Sequence, residues 1–196
     1  MDEERLLEKL RQREAQLKSM LDACTKQIRF HEESMQRKKD IADGKFSVQR
    51  LDEENRIIVY QKELTRTFAV PAEAMDTCAD ILRELFCVPG YVNLSLSDIP
   101  EKDDDRTVLV QTLEGGIEEL TALTPEQIFS PEDNAGSITA ALFSVELNAK
   151  SSLDDVERIS AVAEQCFSPE STTVWGAAFS AERQKGTARI GIIGMY

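Results

Sequence analysis

The sequence has few of the histidines and cysteines on which many catalytic and metal sites depend. Its only histidine is His31, and its four cysteines, Cys24, Cys78, Cys87 and Cys166, form no C-x-x-C pair. Metal-ligand spacing is therefore missing, and we expect no metal, no cofactor and reduced, mostly buried thiols. Ser-His or Cys-His catalysis would have to use His31, which lies in a highly charged predicted helix. We therefore do not expect an independent enzyme.

Positive charge and long apolar runs are also scarce. The chain has 36 acidic against 23 basic residues and a net charge of −13, which disfavours attraction to nucleic acid or to an anionic membrane. We expect neither as a partner. No apolar run approaches the roughly 20 residues of a membrane helix, and the start MDEERLLEK lacks the apolar core of a signal peptide. The expected location is cytoplasmic.

Glycine is missing before Gly44, and residues 1–44 predict one continuous helical arm that Asp43-Gly44 ends. Positions separated by alternating steps of three and four form a heptad seam with polar interruptions, as in a coiled coil. We call this set the seam; it consists of Leu7, Leu10, Glu14, Leu17, Leu21, Cys24, Ile28, His31 and Met35.

The partner of the seam stays open at this point. A parallel homodimer would set Arg13 of one chain against Lys18 of the other, which favours an antiparallel, heterotypic or intramolecular pairing. The alternative is an exposed helix that packs only on its own domain. About four heptads is long for a helix supported by one small domain. This length favours self-association through the apolar seam residues Leu7, Leu10, Leu17, Leu21, Ile28 and Met35.

Residues 45–66 have mixed periodicity and are predicted to be a connecting segment. Phe46 and Val48 alternate as in a strand. Spacings of three and four residues, typical of one face of a helix, separate Ile57, Gln61, Leu64 and Phe68.

Residues 67–99 predict an amphipathic helix followed by a loop. The apolar face of that helix consists of Met75, Cys78, Ala79, Leu82 and Leu85. Because proline disrupts a helix interior, Pro71 predicts either a helix start near Ala72 or a kink. Pro89-Gly90 then ends the helix, and the loop leads to a carboxylate at Asp98.

Residues 100–196 predict an α/β domain. The charge run EKDDDR, from Glu101, is typical of a solvated turn. Strands are predicted in TVLVQT (107–112), SITAALFSVEL (137–147), TTVWGAAFS (172–180) and GTARIGIIGMY (186–196). Glu114-Gly115-Gly116 is expected to turn, and AERQKG (181–186) to form a hairpin-like link between the last two strands.

Helices alternate with these strands. IEELTALTPEQIF (117–129) is expected to be helical in part, with Pro125 as a breaker or a new first turn. Ser151 or Ser152 is expected to cap a helix through Cys166, with a buried face of Leu153, Val156, Ile159, Val162 and Ala163. About four strands with helices on one face make a two-layer α/β sandwich, so the whole chain is predicted to be α+β.

Several of these stretches resemble FtsZ, the bacterial tubulin relative of cell division. A helix from Phe68 into Val88-Pro89-Gly90, then Asn93-Leu94 and Asp98-Ile99, is similar to the central helix and synergy loop of that family. Near the C-terminus, Trp175-Gly176-Ala177 stands where the family has an aromatic-Gly-Ala run. The resemblance implies a C-terminal domain of the FtsZ/tubulin type and a cytoskeletal role.

The same resemblance implies what the loop would do. In FtsZ the synergy loop enters the nucleotide site of the next subunit, where acidic residues position the water that attacks the γ-phosphate. Asn93 and Asp98 match the family's Asn and second Asp, whereas Ser95 stands at the position of the first Asp and brings no charge.

A phosphate cradle is not recognisable in this sequence. Such a cradle needs glycines so that successive backbone N–H groups can face the anion. No glycine precedes Gly44, and the one Gly-Gly pair, Gly115-Gly116, lies downstream of the loop. We therefore expect no GTPase domain in this chain and no GTP binding by the chain alone.

Three functions follow as hypotheses. The first is an FtsZ-like protein that binds or modulates cytoskeletal filaments through its C-terminal domain and loop. The second is a coiled-coil scaffold with a reused α/β domain. The third is an accessory that supplies Asp98, with Asn93, to a neighbour's GTPase site in trans.

Overall fold

The computed structural model describes residues 2–100 and 106–196. Of the predicted turn EKDDDR, residues 101–105 lie outside the described residues, and Arg106 begins a strand. The chain divides into two units, Met1–Ala42 and Asp43–Tyr196. No helix in the described part of the chain is long and apolar enough to cross a membrane.

The first unit is one helix, α1 (Asp2–Ala42), so the predicted continuous helix is confirmed. Its seam is open to solvent: the exposed fractions are 61% for Leu17, 66% for Leu21 and 60% for Ile28. The side chains of the predicted seam residues Leu7 and Leu10 lie outside the described part of the structure. That the seam pairs as a coiled coil stays a prediction.

The second unit is built on one mixed sheet of seven strands. They are β1 (Phe46–Leu51), β2 (Arg56–Gln61), β3 (Leu64–Ala69), β4 (Arg106–Gly116), β5 (Ala140–Asn148), β6 (Thr172–Ser180) and β7 (Thr187–Met195). Their spatial order is β1-β2-β3-β4-β7-β5-β6. The four strands predicted within residues 100–196 are present as β4 to β7, but the sheet has seven strands, because an N-terminal meander of three strands was not predicted.

That meander lies in and beyond the predicted connecting segment. β1 and β2 pair antiparallel, as do β2 and β3, with Ile57 opposite Phe68. The helical steps predicted here are wrong, because the tight turn after Gln61 separates the two strands and Lys62 adopts a φ of 55° there. Within β2, Ile57, Val59 and Gln61 are buried at every second position, as a half-buried strand requires.

The C-terminal strands pair differently from their order in the chain. β7 runs antiparallel between β4 and β5, and β5 pairs parallel with β6. The predicted hairpin at AERQKG is therefore wrong, since β6 and β7 are not neighbours. Gly115 and Gly116 belong to β4, opposite Ala188 and Thr187, instead of forming a turn.

Helices cover both faces of the sheet, so the predicted two-layer arrangement with helices on one face is wrong. α2 (Met75–Cys87) packs on one face, where Leu142 of β5 joins its core. The helices on the opposite face are α3 (Ile117–Leu120), α4 (Pro125–Ile128) and α5 (Leu153–Glu164). Phe143, the next residue of β5, packs among them, because successive strand residues point to opposite faces.

The predicted helix faces are largely confirmed. All five predicted residues of α2 are buried, together with Ile81 and Phe86. α2 begins at Met75 after a short 3-10 turn, so Pro71 precedes the helix and does not kink it. In α5, Ser152 is the cap and Val156, Ile159 and Ala163 are buried, whereas Leu153 is exposed.

The buried cysteines are expected to react more slowly than the exposed one. Desolvation raises the pKa of the Cys78 thiol to about 12 and that of Cys166 to about 11, whereas Cys24 lies exposed on α1. Because the thiolate is the reacting species, iodoacetamide at pH 8 should modify Cys24 first and Cys78 only after unfolding. Peptide mapping by mass spectrometry follows both sites. Equal rates at Cys24 and Cys78 in the folded protein would contradict this packing.

Candidate functional site

The loop of residues 88–99, which we call the α2 loop, is fixed to the edge of the sheet. The N–H groups of Tyr91 and Val92 donate to the carbonyl oxygen of Ala177 at 2.6 and 3.0 Å, and the Ala177 N–H donates to the Val92 oxygen at 3.0 Å. Ala177 lies on β6, the last strand of the sheet. The α2 loop thus partly covers an edge that would otherwise offer unpaired backbone groups.

Two glycines permit this close approach. A Cβ on Gly90 would lie 2.6 Å from the Ala177 carbonyl oxygen. A Cβ on Gly176 would lie 2.9 Å from Cδ2 of Leu85 and 3.2 Å from the Val92 oxygen. Val88-Pro89-Gly90 and Trp175-Gly176-Ala177, two stretches far apart in sequence, therefore meet in one backbone contact.

Asn93 closes the first turn of the α2 loop. Its Oδ1 accepts a hydrogen bond from the Gly90 N–H at 2.8 Å, and its Nδ2 donates to the Gly90 oxygen at 3.1 Å. Both ends of the amide are therefore used inside the loop. The structure gives Asn93 a role in shaping the loop, in addition to the predicted role in trans.

Ser95 and Asp98 form a capping box around a 3-10 turn, Leu96–Asp98. Oδ2 of Asp98 accepts the Ser95 N–H at 2.7 Å, and Oγ of Ser95 accepts the Ser97 N–H at 3.3 Å. Asp98 is exposed, and Oδ2 holds its carboxylate in place through the Ser95 N–H.

Gln61 ties the base of this turn to the end of β2. Its side chain is buried, accepts the Leu96 N–H, and donates from Nε2 to Oγ of Ser95 at 3.2 Å. Sequence reasoning missed Gln61, which lies 34 residues before Ser95 in the chain. A buried polar residue at a strand end was the available signal, but that strand was not recognised.

The α2 loop has an inner and an outer side. Leu94, Leu96 and Ile99 are buried and anchor it in the core beside α2. On the outer side Tyr91 is 44% exposed, and its ring meets Phe179 edge-on at 5.5 Å. Asp98 is exposed as well, so the exposed residues of the loop include one aromatic ring and one carboxylate; we call these exposed residues the outer side.

A cluster of polar side chains connects α2 to the sheet. Oγ of Ser144 donates to Oε2 of Glu84 at 2.8 Å, and Arg189 bonds Oε1 of the same carboxylate. Ser144 and Arg189 lie on β5 and β7. One carboxylate thus joins α2 to two central strands on the face that the helix covers.

The cavity beside the α2 loop offers little room for a nucleotide. The space between α2, the α2 loop and β6 has a volume of about 120 Å³, below the roughly 300 Å³ at which ligand pockets begin. A hollow of about 410 Å³ beside the C-terminal end of β6 is lined by Glu114, Glu146 and Glu182 with one arginine, Arg183. Such a charge balance repels phosphate groups.

Metal-ligating and catalytic groups do not converge at the α2 loop. Among residues 2–100 and 106–196, no group of three or more His, Cys, Asp and Glu side chains could hold a metal ion. The structure brings the three predicted site residues, Asn93, Ser95 and Asp98, into one short segment. Their hydrogen bonds hold the loop in shape.

Comparisons with known proteins give weak likenesses. No protein-family model and no curated protein matches the chain. The structure is similar to an empty FtsZ dimer of M. jannaschii, with a TM-score of 0.48 and 16% identity over 64% of this chain and 40% of that one.

Two TubZ structures are also similar to the chain. For a type III plasmid segregation TubZ the TM-score is 0.41, at 15% identity over 63% of this chain and 36% of that one. For a protofilament of TubZ from Bacillus thuringiensis serovar israelensis it is 0.41, at 17% identity over 63% and 34%. This chain therefore spans well under half the length of the proteins it is similar to.

Proposed function

We propose that this chain binds cytoskeletal filaments of the FtsZ type, in cell division, through the outer side of its α2 loop, and that it catalyses no reaction alone. The observation that carries this proposal is the rigid mounting of the loop. Its backbone is bonded to β6, its apolar residues are buried, and Tyr91 and Asp98 point outward. The sequence resemblance of the loop to a segment that contacts the next filament subunit supports the choice of partner.

Contact is favoured over catalysis by the bonds inside the loop. Ser95 brings no charge, and both ends of the Asn93 amide are used by Gly90. Asp98 is the one acidic residue of the α2 loop, and its Oδ2 already accepts the Ser95 N–H. A single carboxylate can position a water molecule, but stabilising phosphoryl transfer needs several groups around the phosphate.

Two loop variants test the proposal. Tyr91→Ala removes the exposed ring, and Asp98→Asn removes the charge while leaving an oxygen for the Ser95 N–H. Each should weaken co-pelleting with GTP-assembled FtsZ polymers about tenfold, as expected for a central aromatic or charged contact. Dissociation constants come from pelleting at increasing polymer concentration.

Glu157→Ala, on the exposed side of α5, is the matched control and should pellet like the parent chain. Circular dichroism melting checks that Tyr91→Ala and Asp98→Asn remain folded. Folded loop variants that pellet as well as Glu157→Ala would remove the loop from the contact.

A scaffold is the second candidate, favoured by the open seam of α1. Leu17, Leu21 and Ile28 are each at least 60% exposed, which is unusual for side chains repeating on one helix face. This function needs no filament. It predicts self-association of the chain that persists when the α2 loop is altered.

The accessory function in trans rests on the exposed carboxylate of Asp98. Under that function, adding the chain to assembled FtsZ would raise the rate of phosphate release, and Asp98→Asn would abolish the increase. Under the proposed function, pelleting occurs and the rate of GTP turnover per FtsZ subunit stays unchanged. A phosphate-release assay run beside the pelleting assay separates the two.

A further inference from the structure

The exposed seam of α1 is complementary to its own reversed copy. Glu14 and His31 are the polar interruptions of an otherwise apolar stretch, and they lie symmetrically about the middle of that stretch. We infer that α1 pairs with α1 of a second copy of this chain, antiparallel, in the register that sets Leu21 opposite Cys24 of the second copy. This pairing deepens the scaffold candidate and does not involve the α2 loop.

The seam residues match one another in this register. In an antiparallel coiled coil each a position faces a d position of the partner, and Leu21 and Cys24 occupy such positions. Counting outward, Leu17 faces Ile28 of the second copy, and Glu14 faces His31. Apolar residues thus meet apolar residues, and the two polar residues meet each other instead of being buried against leucine.

The flanking charges also match. Arg11 lies beside the seam opposite Glu32 of the second copy, an attractive pair that occurs twice by symmetry. Lys18 lies opposite Thr25 of the second copy, so no repulsion arises there. A parallel pairing would instead set Arg13 against Lys18 and would stack Glu14 on its own copy.

The length of α1 agrees with this register and not with registers shifted by one heptad. The helix runs from Asp2 to Ala42, so its midpoint is residue 22, between the central pair Leu21 and Cys24. The two helices therefore overlap along their whole length. A shift of one heptad in either direction would shorten the overlap and set His31 opposite a leucine at position 7 or 21.

Disulfide trapping tests both orientation and register in the full chain. In a Cys24→Ser background, Leu17→Cys and Ile28→Cys are made as separate proteins. In the inferred register, two copies of position 17 are eleven residues apart along the axis, or about 16 Å, too far for a disulfide. Each protein alone should stay uncrosslinked, and an equimolar mixture should form a 17–28 linked dimer.

Peptide mapping identifies the linked cysteines. A 17–17 disulfide in the Leu17→Cys protein alone would show a parallel pairing and overturn the inference. A mixture that forms no 17–28 disulfide under oxidising conditions would overturn it too.

Charge exchange gives an independent measurement. The substitution Arg11→Glu places two like-charged pairs in the dimer, one on each side of the symmetry axis, because residue 11 lies opposite Glu32 of the second copy. It should raise the dimer dissociation constant about tenfold, measured by sedimentation equilibrium of the 22.0 kDa chain. Adding Glu32→Arg in the same chain restores opposite charges and should restore the dissociation constant. Glu33→Arg, outside the flanking positions, is the control. Equal constants for Arg11→Glu and the double variant, or a monomeric parent chain, would refute the pairing.

Discussion

Replacing Gly90 by alanine should lower the free energy of unfolding of the α/β unit by about 3 kcal/mol. The new Cβ would lie 2.6 Å from the carbonyl oxygen of Ala177. That oxygen accepts the N–H groups of both Tyr91 and Val92, so relieving the clash costs hydrogen bonds as well as packing. Urea unfolding followed by circular dichroism measures the change.

Gly136→Ala is the matched control for this substitution. A Cβ on Gly136 meets nothing within 4 Å and the residue has no positive φ, so the same chemical change should be close to neutral. If Gly90→Ala and Gly136→Ala unfold at the same urea concentration, the α2 loop is not seated against β6 as described. The Gly90→Ala variant should also pellet less with filaments, because the positions of Tyr91 and Asp98 depend on the bonding of the α2 loop to β6.

Replacing Glu84 by alanine should lower the free energy of unfolding by about 2 kcal/mol. The substitution removes the acceptor of both Ser144 and Arg189. Arg189 has a side chain only 19% exposed, so water replaces the lost carboxylate poorly. The loss should appear in urea unfolding and should be largest at low salt, where unpaired charge is least screened.

Asp80→Ala, one turn earlier on α2, is the control for Glu84→Ala. Asp80 pairs with Arg83 at 2.9 Å, but both side chains are well exposed. Such surface pairs contribute under about 1 kcal/mol. Equal effects of the two substitutions would mean that the cluster beneath α2 does not support the fold.

The parts of the fold that follow from local pattern could be predicted from the sequence. α2 has one buried face, so its apolar residues repeat with the helical period and Met75 through Leu85 were identified. The long α1 was equally clear because no glycine or proline interrupts it. Both conclusions depend on residues a few positions apart.

The sheet could not be predicted in the same way. β2 and β3 are joined so tightly that Ile57, Gln61, Leu64 and Phe68 imitate a helical repeat across the turn. The place of β7 between β4 and β5 depends on pairing between distant residues, from Leu147 with Ala188 to Val108 with Met195, which no local pattern encodes. That helices cover both faces follows from Leu142 and Phe143, which are adjacent in β5 but pack in two separate cores.

The residues of the candidate site could be predicted from the sequence, but the hydrogen bonds that hold them could not. Asn93, Ser95 and Asp98 were named from resemblance, and the structure places them within one short loop. Their mutual hydrogen bonds, the buried Gln61 and the approach of Gly90 to Ala177 join distant parts of the chain. Such long-range contacts have no local signal in the sequence.

Co-pelleting with FtsZ tests the proposed function most directly. The full chain is mixed with FtsZ either assembled with GTP or kept unassembled with GDP, and the pellet is quantified. The chain should enter the pellet saturably with polymer and stay in the supernatant with GDP. A chain that remains in the supernatant at every polymer concentration would contradict the proposed filament contact.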